Sequence, residues 1–342
     1  MRACVFHAPG RPLTVEVIAD PTPGDLEVVV KVGRCGICGT DLHTTQADAG
    51  PYMSKPGTVL GHEFSGEVAA LGRQVTMLKL GDAVAVLPWI GCGGCRACLS
   101  GAPSQCPRAK GNGMGGTTGG YAQYALGGER SCIVLPAGVG LDAGALVEPM
   151  AVSLHGVRGA DIKPGDTVLV IGAGPIGLAA VYWAKRAGAR VAVTAASNRR
   201  EAMAMTMGAD AFVAPDPDQR LPRQVAAALG GPPDVVLECV GLPGMIQTSL
   251  DCVRPRGLVV VLGFCTTADS FHPAAAVAKE ARINFAVLYD RREFEITVDA
   301  LEAGAPEVGR MITDVVSLDE TPAAFEALRQ RTHQCKVQIA PG

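Results

Sequence analysis

The sequence predicts an α/β protein of two domains, one compact and β-rich, the other built on a doubly wound parallel sheet. Three observations carry that expectation. From Lys163 to about Phe264 strand-like and helix-like stretches alternate, and the strands are near-continuous apolar runs, as expected where helices cover both faces of a sheet. Residues 1 to about 85 hold short strands punctuated by Gly and Pro. At 342 residues the chain exceeds the usual size of one hydrophobic core.

Composition narrows the function classes. A net charge of −3 gives no reason to expect a nucleic-acid partner. No apolar run approaches the ~20 residues of a membrane span, and no basic region followed by an apolar one opens the chain. Twelve cysteines could signal a disulfide protein, but four of them fall between Cys92 and Cys106, too close and too regular for such a framework. A reducing, cytoplasmic compartment and metal binding are the expectation.

Taken in order, Leu13–Ile18 and Glu27–Val32 read as strands, with Pro21, Pro23 and Gly24 turning between them. Strand character returns around Glu67–Ala70 and at Asp82–Leu87. Within this region lie Gly36-Ile-Cys-Gly-Thr-Asp-Leu-His43 and Gly61-His-Glu-Phe-Ser-Gly66. Cys38 offers a thiolate, His62 an imidazole and Glu63 a carboxylate, a set that suits zinc with a further position left open. Cys35 and Cys38 could instead form a redox pair, but no βαβ pattern surrounds them.

Cys92, Cys95, Cys98 and Cys106 follow, with Gly91, Gly93, Gly94 and Gly101 relaxing the backbone around them. Four thiolates close a tetrahedral shell, so this site reads as a structural zinc lobe over 91–107. Gly111–Gly120 reads as a loop beside the active site, with Trp89 and Tyr289 as further candidate pocket residues. Tyr121–Tyr124 and Ser131–Leu135 read as strands. Asp142–His155 reads as one helix broken or kinked at Pro149, and it carries Glu148 in an apolar setting, costly unless paired or metal-bound.

The second domain opens on Thr167–Ile171, a run of β-formers that meets Gly172-Ala-Gly-Pro-Ile-Gly177. Gly172, Gly174 and Gly177, with Pro175 and Ile176 between, fit G-x-G-x-x-G, and the helix that follows presents free N–H groups to a pyrophosphate. Further strands are expected at Arg190–Thr194, Ala211–Val213, Asp234–Cys239, Leu258–Leu262 and Ile283–Leu288. Helices are expected at Ile176–Ala187, Arg199–Met207, Gln219–Leu229, Gly244–Val253 and Glu293–Ala303, then late strands at Val315–Leu318 and Val337–Ala340. At the end of the second strand, where a NAD site carries an acid for the ribose 2′-OH, stands Ala195. Ser197, Arg199 and Arg200 follow, and they suit a 2′-phosphate, so NADP(H) is expected over NAD(H). Val240, Gly263 and Phe264 end later strands at the same edge and are expected to flank the cofactor.

Together these pieces resemble the zinc-dependent alcohol dehydrogenases of the medium-chain dehydrogenase/reductase superfamily. The matching residues are Cys38-Gly-Thr-Asp-Leu-His43, Gly61-His-Glu-x-x-Gly66, the four-cysteine lobe and Gly172–Gly177. Glu148-Pro-Met-Ala-Val-Ser-Leu-His155 looks most like the sorbitol, polyol and butanediol dehydrogenase branch. The resemblance implies a GroES-like catalytic domain (1–151 and 286–342) closing around a Rossmann domain (152–285), two zinc ions per chain, and a homodimer or homotetramer. Cys38 and His62 would ligate the catalytic zinc, completed by either Glu63 or Glu148. The resemblance implies a hydride passing between the nicotinamide and a secondary alcohol, diol or polyol, its ketone forming on oxidation. Thr40 would accept the alcohol proton and pass it by way of the cofactor ribose to His43. The alternatives are an NAD-dependent polyol or butanediol dehydrogenase, a zinc-free reductase, and a non-enzymatic nucleotide-binding protein on the same scaffold.

Overall fold

The structure is a computed structural model that describes residues 1–46, 53–214, 216, 218–330 and 333–342. The chain divides into two compact units, Met1–Glu148 with Tyr289–Gly342, and Pro149–Leu288.

The first unit is built on a seven-stranded sheet. Cys132–Val134, Ala83–Val86, Glu63–Leu71, Glu27–Gly36, Lys336–Ala340 and Ile312–Ser317 lie side by side in that order, and Tyr124–Gly128 also pairs with Glu27–Gly36. Arg2–Phe6 forms a smaller sheet with Thr14–Val17 and Thr58–Val59. Val28, Val30, Val32, Phe64, Val84, Val86, Val337 and Ile339 alternate into one core, as a pleat with one face inward requires. The pairing sets Gly36 opposite Glu63 and Gln338 opposite Gly36, so three strands distant in sequence meet at one end of the sheet.

The stretches 142–155 and 121–124 depart from the sequence expectation. The stretch 142–155 is two helices, Leu141–Gly144 and Val147–Gly159, and Pro149 does not break either. It sits in the first turn of the second, where a missing N–H costs nothing because no intrahelical partner exists there. The strand expected at Tyr121–Tyr124 starts only at Tyr124 and runs to Gly128, because Tyr121 bonds instead to Cys4 and Leu60 as a connecting segment.

The second unit is a six-stranded, wholly parallel sheet. Its order is Ala211–Val213, Arg190–Thr194, Thr167–Ile171, Val235–Glu238, Leu258–Val261, Arg282–Phe285. The order reverses between Thr167–Ile171 and Val235–Glu238, which opens a crevice at the carboxyl ends of those two strands. Helices Pro175–Arg186, Leu221–Leu229 and Met245–Cys252 are amphipathic or apolar and pack on the sheet. The helix Pro273–Lys279 had no counterpart in the sequence reading. Among the described residues no helix is long and apolar enough to cross a membrane.

Candidate functional site

Cys38 is the N-cap of the helix Gly39–Thr44 and accepts from the Thr40 N–H at 3.5 Å. Asp41, three residues on, accepts the Cys38 N–H at 3.1 Å, which completes a capping box. The same carboxylate is buried, takes the Tyr121 hydroxyl at 2.8 Å and lies 3.3 Å from His62 Nδ1. Those contacts offset the cost of burying an acid. Asp41 thus couples the cap that holds Cys38 to the ring of His62. The ring stands between Asp41 and Cys38; burial disfavours its charge, while both neighbours favour it strongly enough to raise its pKa well above the usual value. Its Nδ1 is buried and lacks a well-aligned hydrogen-bond partner, the Asp41 oxygen being near but off-line.

Glu63 follows His62 at the start of the strand Glu63–Leu71. Lys336 Nζ lies 2.7 Å from each of its carboxylate oxygens and 3.2 Å from the Ile37 carbonyl oxygen. Burial works to lower the Lys336 pKa, but the Glu63 carboxylate outweighs it and the pKa rises. Glu148 lies in the first turn of Val147–Gly159, buried, with Oε1 accepting the Tyr289 hydroxyl at 2.6 Å. Burial raises its pKa to about 7, the nearby Glu63 adding to the rise and His62 opposing it.

Gly61, just before His62, has φ +98, and a side chain there would run into the Tyr121 ring and the Cys35 sulfur. Gly113 and Gly119 of the glycine-rich loop pack against the Gly61 backbone, so that loop buttresses the segment bearing His62.

The residues present fit a metal at two places. Ligand atoms of Cys38, His62 and Glu63 lie within 4.8 Å of one another, and so do the sulfurs of Cys92, Cys95, Cys98 and Cys106. In the lobe, Cys95 and Cys98 sulfurs are 3.6 Å apart and those of Cys92 and Cys98 4.0 Å. A tetrahedral ZnS₄ shell with ~2.3 Å bonds needs sulfurs roughly 3.8 Å apart, whereas a disulfide needs about 2.05 Å. Backbone N–H groups of Cys92 and Arg108 point at the Cys106 sulfur, and N–H donors of Gly94 and then Cys95 lower the Cys92 pKa to about 6. Both effects favour thiolate.

The second unit carries the cofactor candidates. Gly172 turns the chain at φ +103, and a side chain on Gly177 would strike the Gly172 carbonyl. Gly174 caps the helix Pro175–Arg186, with Pro175 and Ile176 in the first turn, and a Cβ there would meet no protein atom within 4 Å. That open cradle at a helix N-terminus fits a pyrophosphate. Ala195 follows the strand Arg190–Thr194, Ser197 caps the short turn Asn198–Arg200, and Arg199 is exposed. Arg200 Nη1 donates to the Ala173 carbonyl at 3.1 Å, which holds its guanidinium over the glycine turn. Val240, Gly263 and Phe264 lie at the carboxyl ends of the next two strands. Glu238, not singled out in the sequence, is buried below them and accepts the Val240 N–H at 2.6 Å and the Gly241 N–H at 2.9 Å.

Thr40 and His43 are three residues apart on one helix, hence on one face. Sequence reasoning missed Asp41, Tyr121, Lys336 and Glu238 as site residues. Only Asp41 left a local signal, since its spacing from Cys38 is that of a capping box.

Residues 24–137 match the alcohol dehydrogenase GroES-like domain, and residues 175–303 match the zinc-binding dehydrogenase domain. The chain is 30% identical to sorbitol dehydrogenase of Bacillus subtilis, over 100% of this chain and 97% of that protein. It is 39% identical to L-galactonate-5-dehydrogenase of Escherichia coli over 71% of this chain and 70% of that one. Among solved structures, 2R,3R-butanediol dehydrogenase from Bacillus subtilis superposes with a TM-score of 0.89 at 29% identity, covering 100% of this chain and 99% of that one. A zinc-binding dehydrogenase from Sinorhizobium meliloti bound to NADP superposes with a TM-score of 0.88 at 30% identity, covering 99% of each chain. The chain is a zinc- and nicotinamide-dependent oxidoreductase and belongs to the alcohol dehydrogenases of the medium-chain dehydrogenase/reductase superfamily, in their polyol branch.

Proposed function

We infer that the protein transfers a hydride reversibly between NADP(H) and a secondary alcohol, diol or polyol and the matching ketone. The observation that carries this reading is the convergence of ligand atoms of half-buried Cys38 and buried His62 and Glu63 within 4.8 Å. Zinc held there supplies Lewis acidity toward the alcohol or carbonyl oxygen. A second zinc belongs to the four-cysteine lobe, where no ligand position stays open.

The chain's own residues do the rest. Thr40 takes the alcohol proton and His43, one turn on, carries it outward along the same helix face. Lys336 offsets the charge of Glu63, and Tyr289 holds Glu148 at the site. Gly172–Gly177 cradles the pyrophosphate. Ser197, Arg199 and Arg200 receive the 2′-phosphate, and the lack of an acid at Ala195 removes the repulsion an NAD-type site would impose. The pose of Arg200 over the Ala173 carbonyl supports this cofactor choice.

A relative of known structure is complexed with NADH, so the NAD-dependent polyol or butanediol reading remains the rival. A panel of sugars, polyols, diols and ketones assayed with NADPH and NADH separates the two. A Kd for NADPH no tighter than for NADH would overturn the NADP assignment.

The protein works as a homodimer or homotetramer. The edge strand Arg282–Phe285 supports this, since Phe285 and Val287 beside it are 66% and 65% exposed. Light scattering that finds only monomers overturns it. None of the twelve cysteines is paired in a disulfide, which supports a reducing, cytoplasmic setting.

A further inference from the structure

Glu148 has a partner whose own position is fixed from three sides. The Tyr289 ring packs on Phe294 with centroids 5.0 Å apart, and its hydroxyl donates to Glu148 Oε1 at 2.6 Å. The next residue, Asp290, caps the helix Arg291–Glu302 through a capping box with Glu293. The residue after that, Arg291, donates its backbone N–H to the Gly101 carbonyl at 3.0 Å. Gly101 lies inside the four-cysteine lobe, between Cys98 and Cys106. The preceding residue, Leu288, adopts φ +59, a left-handed conformation that a residue with a Cβ takes only when its surroundings impose it.

We propose that Tyr289 is a positioning residue for Glu148, and that the four-cysteine lobe sets where Tyr289 stands through the Gly101–Arg291 hydrogen bond. The lobe lies far in sequence from Glu148, yet its anchor point, Arg291, is separated from Tyr289 by Asp290 alone. A phenol donating to one oxygen of Glu148 leaves the other without that bond, on a carboxylate close enough to His62 and Glu63 for their charges to act on it. A change of shape in the lobe moves Arg291, then Tyr289, then that carboxylate. The closed, non-catalytic metal site thereby acquires a role in orienting the catalytic one. This rests on the reading of Cys38 and His62 as metal ligands.

The helix allows a clean test. Arg291 is the first helical position, where proline is tolerated, and Asp290 has φ −96 and ψ 164, the extended backbone that a following proline favours. Arg291→Pro therefore removes the N–H donor and spares the helix, while Arg291→Ala removes the side-chain contacts to Glu295 and Arg130 and keeps the donor. The readouts are kcat, the Kd for NADPH, metal content per chain, and the visible absorption of the Co(II)-substituted holoenzyme, taking the band that Cys38→Ser abolishes. Tyr289→Phe keeps the ring and should lower kcat about tenfold and shift that band, with cofactor Kd and lobe metal unchanged. Arg291→Pro should shift the band in the same direction relative to Arg291→Ala. A band and kcat unmoved by Tyr289→Phe overturn the positioning role, and Arg291→Pro matching Arg291→Ala overturns the link to the lobe. If Arg291→Pro fails to fold, amide exchange at Arg291 is measured in the wild type before and after chelation of the lobe metal; unchanged protection overturns the link. The four-thiolate lobe keeps its own cobalt band in every variant, so an absorption spectrum wholly unchanged by Cys38→Ser overturns the ligand reading instead.

Discussion

Lys336 Nζ stands 2.7 Å from both carboxylate oxygens of Glu63, and the two side chains are 2% and 1% exposed. A lysine rarely sits so deep, and the pair is tolerable only because each charge finds the other. It places a positive charge behind a carboxylate that faces Cys38 and His62, which tempers the negative charge of the whole ligand set.

Removing that lysine should be severe. In the metal-free protein Lys336→Met strands Glu63 as an uncompensated buried charge and is expected to cost about 3–5 kcal/mol, read by denaturant unfolding. The double variant Lys336→Met, Glu63→Gln should recover much of the loss. Equal destabilisation in single and double variants would contradict the pairing.

Thr40→Ala should lower turnover by ~10² or more while the metal content per chain stays that of the wild type. Metal analysis beside steady-state kinetics makes the measurement. Unchanged turnover would exclude the hydroxyl as the first proton acceptor.

Ala195→Asp should reverse cofactor preference. A carboxylate at the end of Arg190–Thr194 meets the ribose 2′-OH of NADH favourably and the 2′-phosphate of NADPH with like charge. The ratio of kcat/KM values for the two cofactors is expected to move at least about tenfold toward NADH, or ~1.4 kcal/mol.

Glu238→Ala removes the acceptor of two backbone N–H groups, at Val240 and Gly241, on the turn beside the cofactor edge. Each orphaned donor costs ~1–3 kcal/mol, and part of that should appear as weaker cofactor binding. Fluorescence titration with NADPH checks it, and a Kd equal to that of the wild type would show that the turn keeps its shape unaided.

Much of this molecule can be read from short-range pattern. Thr167–Ile171 and Arg190–Thr194 stand where the sequence places them, because each holds an unbroken apolar run, Val168–Val170 and Val191–Val193, that a parallel strand covered on both faces requires. The four cysteines and Gly172–Gly177 are equally local. Lys336 is not: it precedes the alternating Val337-Gln-Ile-Ala340, where a lysine reads as a solvated strand end, and its partner lies 273 residues away. Glu238 likewise reads as the end of a strand, and its hydrogen bonds exist only once Val240 and Gly241 curl back over it. The break between Gly144 and Val147 was hidden because Pro149 drew attention to itself, although a first-turn proline is harmless.

The chain leaves the first unit after Glu148 and rejoins it at Tyr289, and one hydrogen bond of 2.6 Å ties those two residues together. In topological terms the whole parallel-sheet unit is an insertion in a loop whose ends are already closed. The loop-closure entropy of joining Glu148 to Tyr289 directly is therefore small, and roughly four extended residues would bridge them. The metal-binding unit has the connectivity of a domain able to fold without its nucleotide-binding insert.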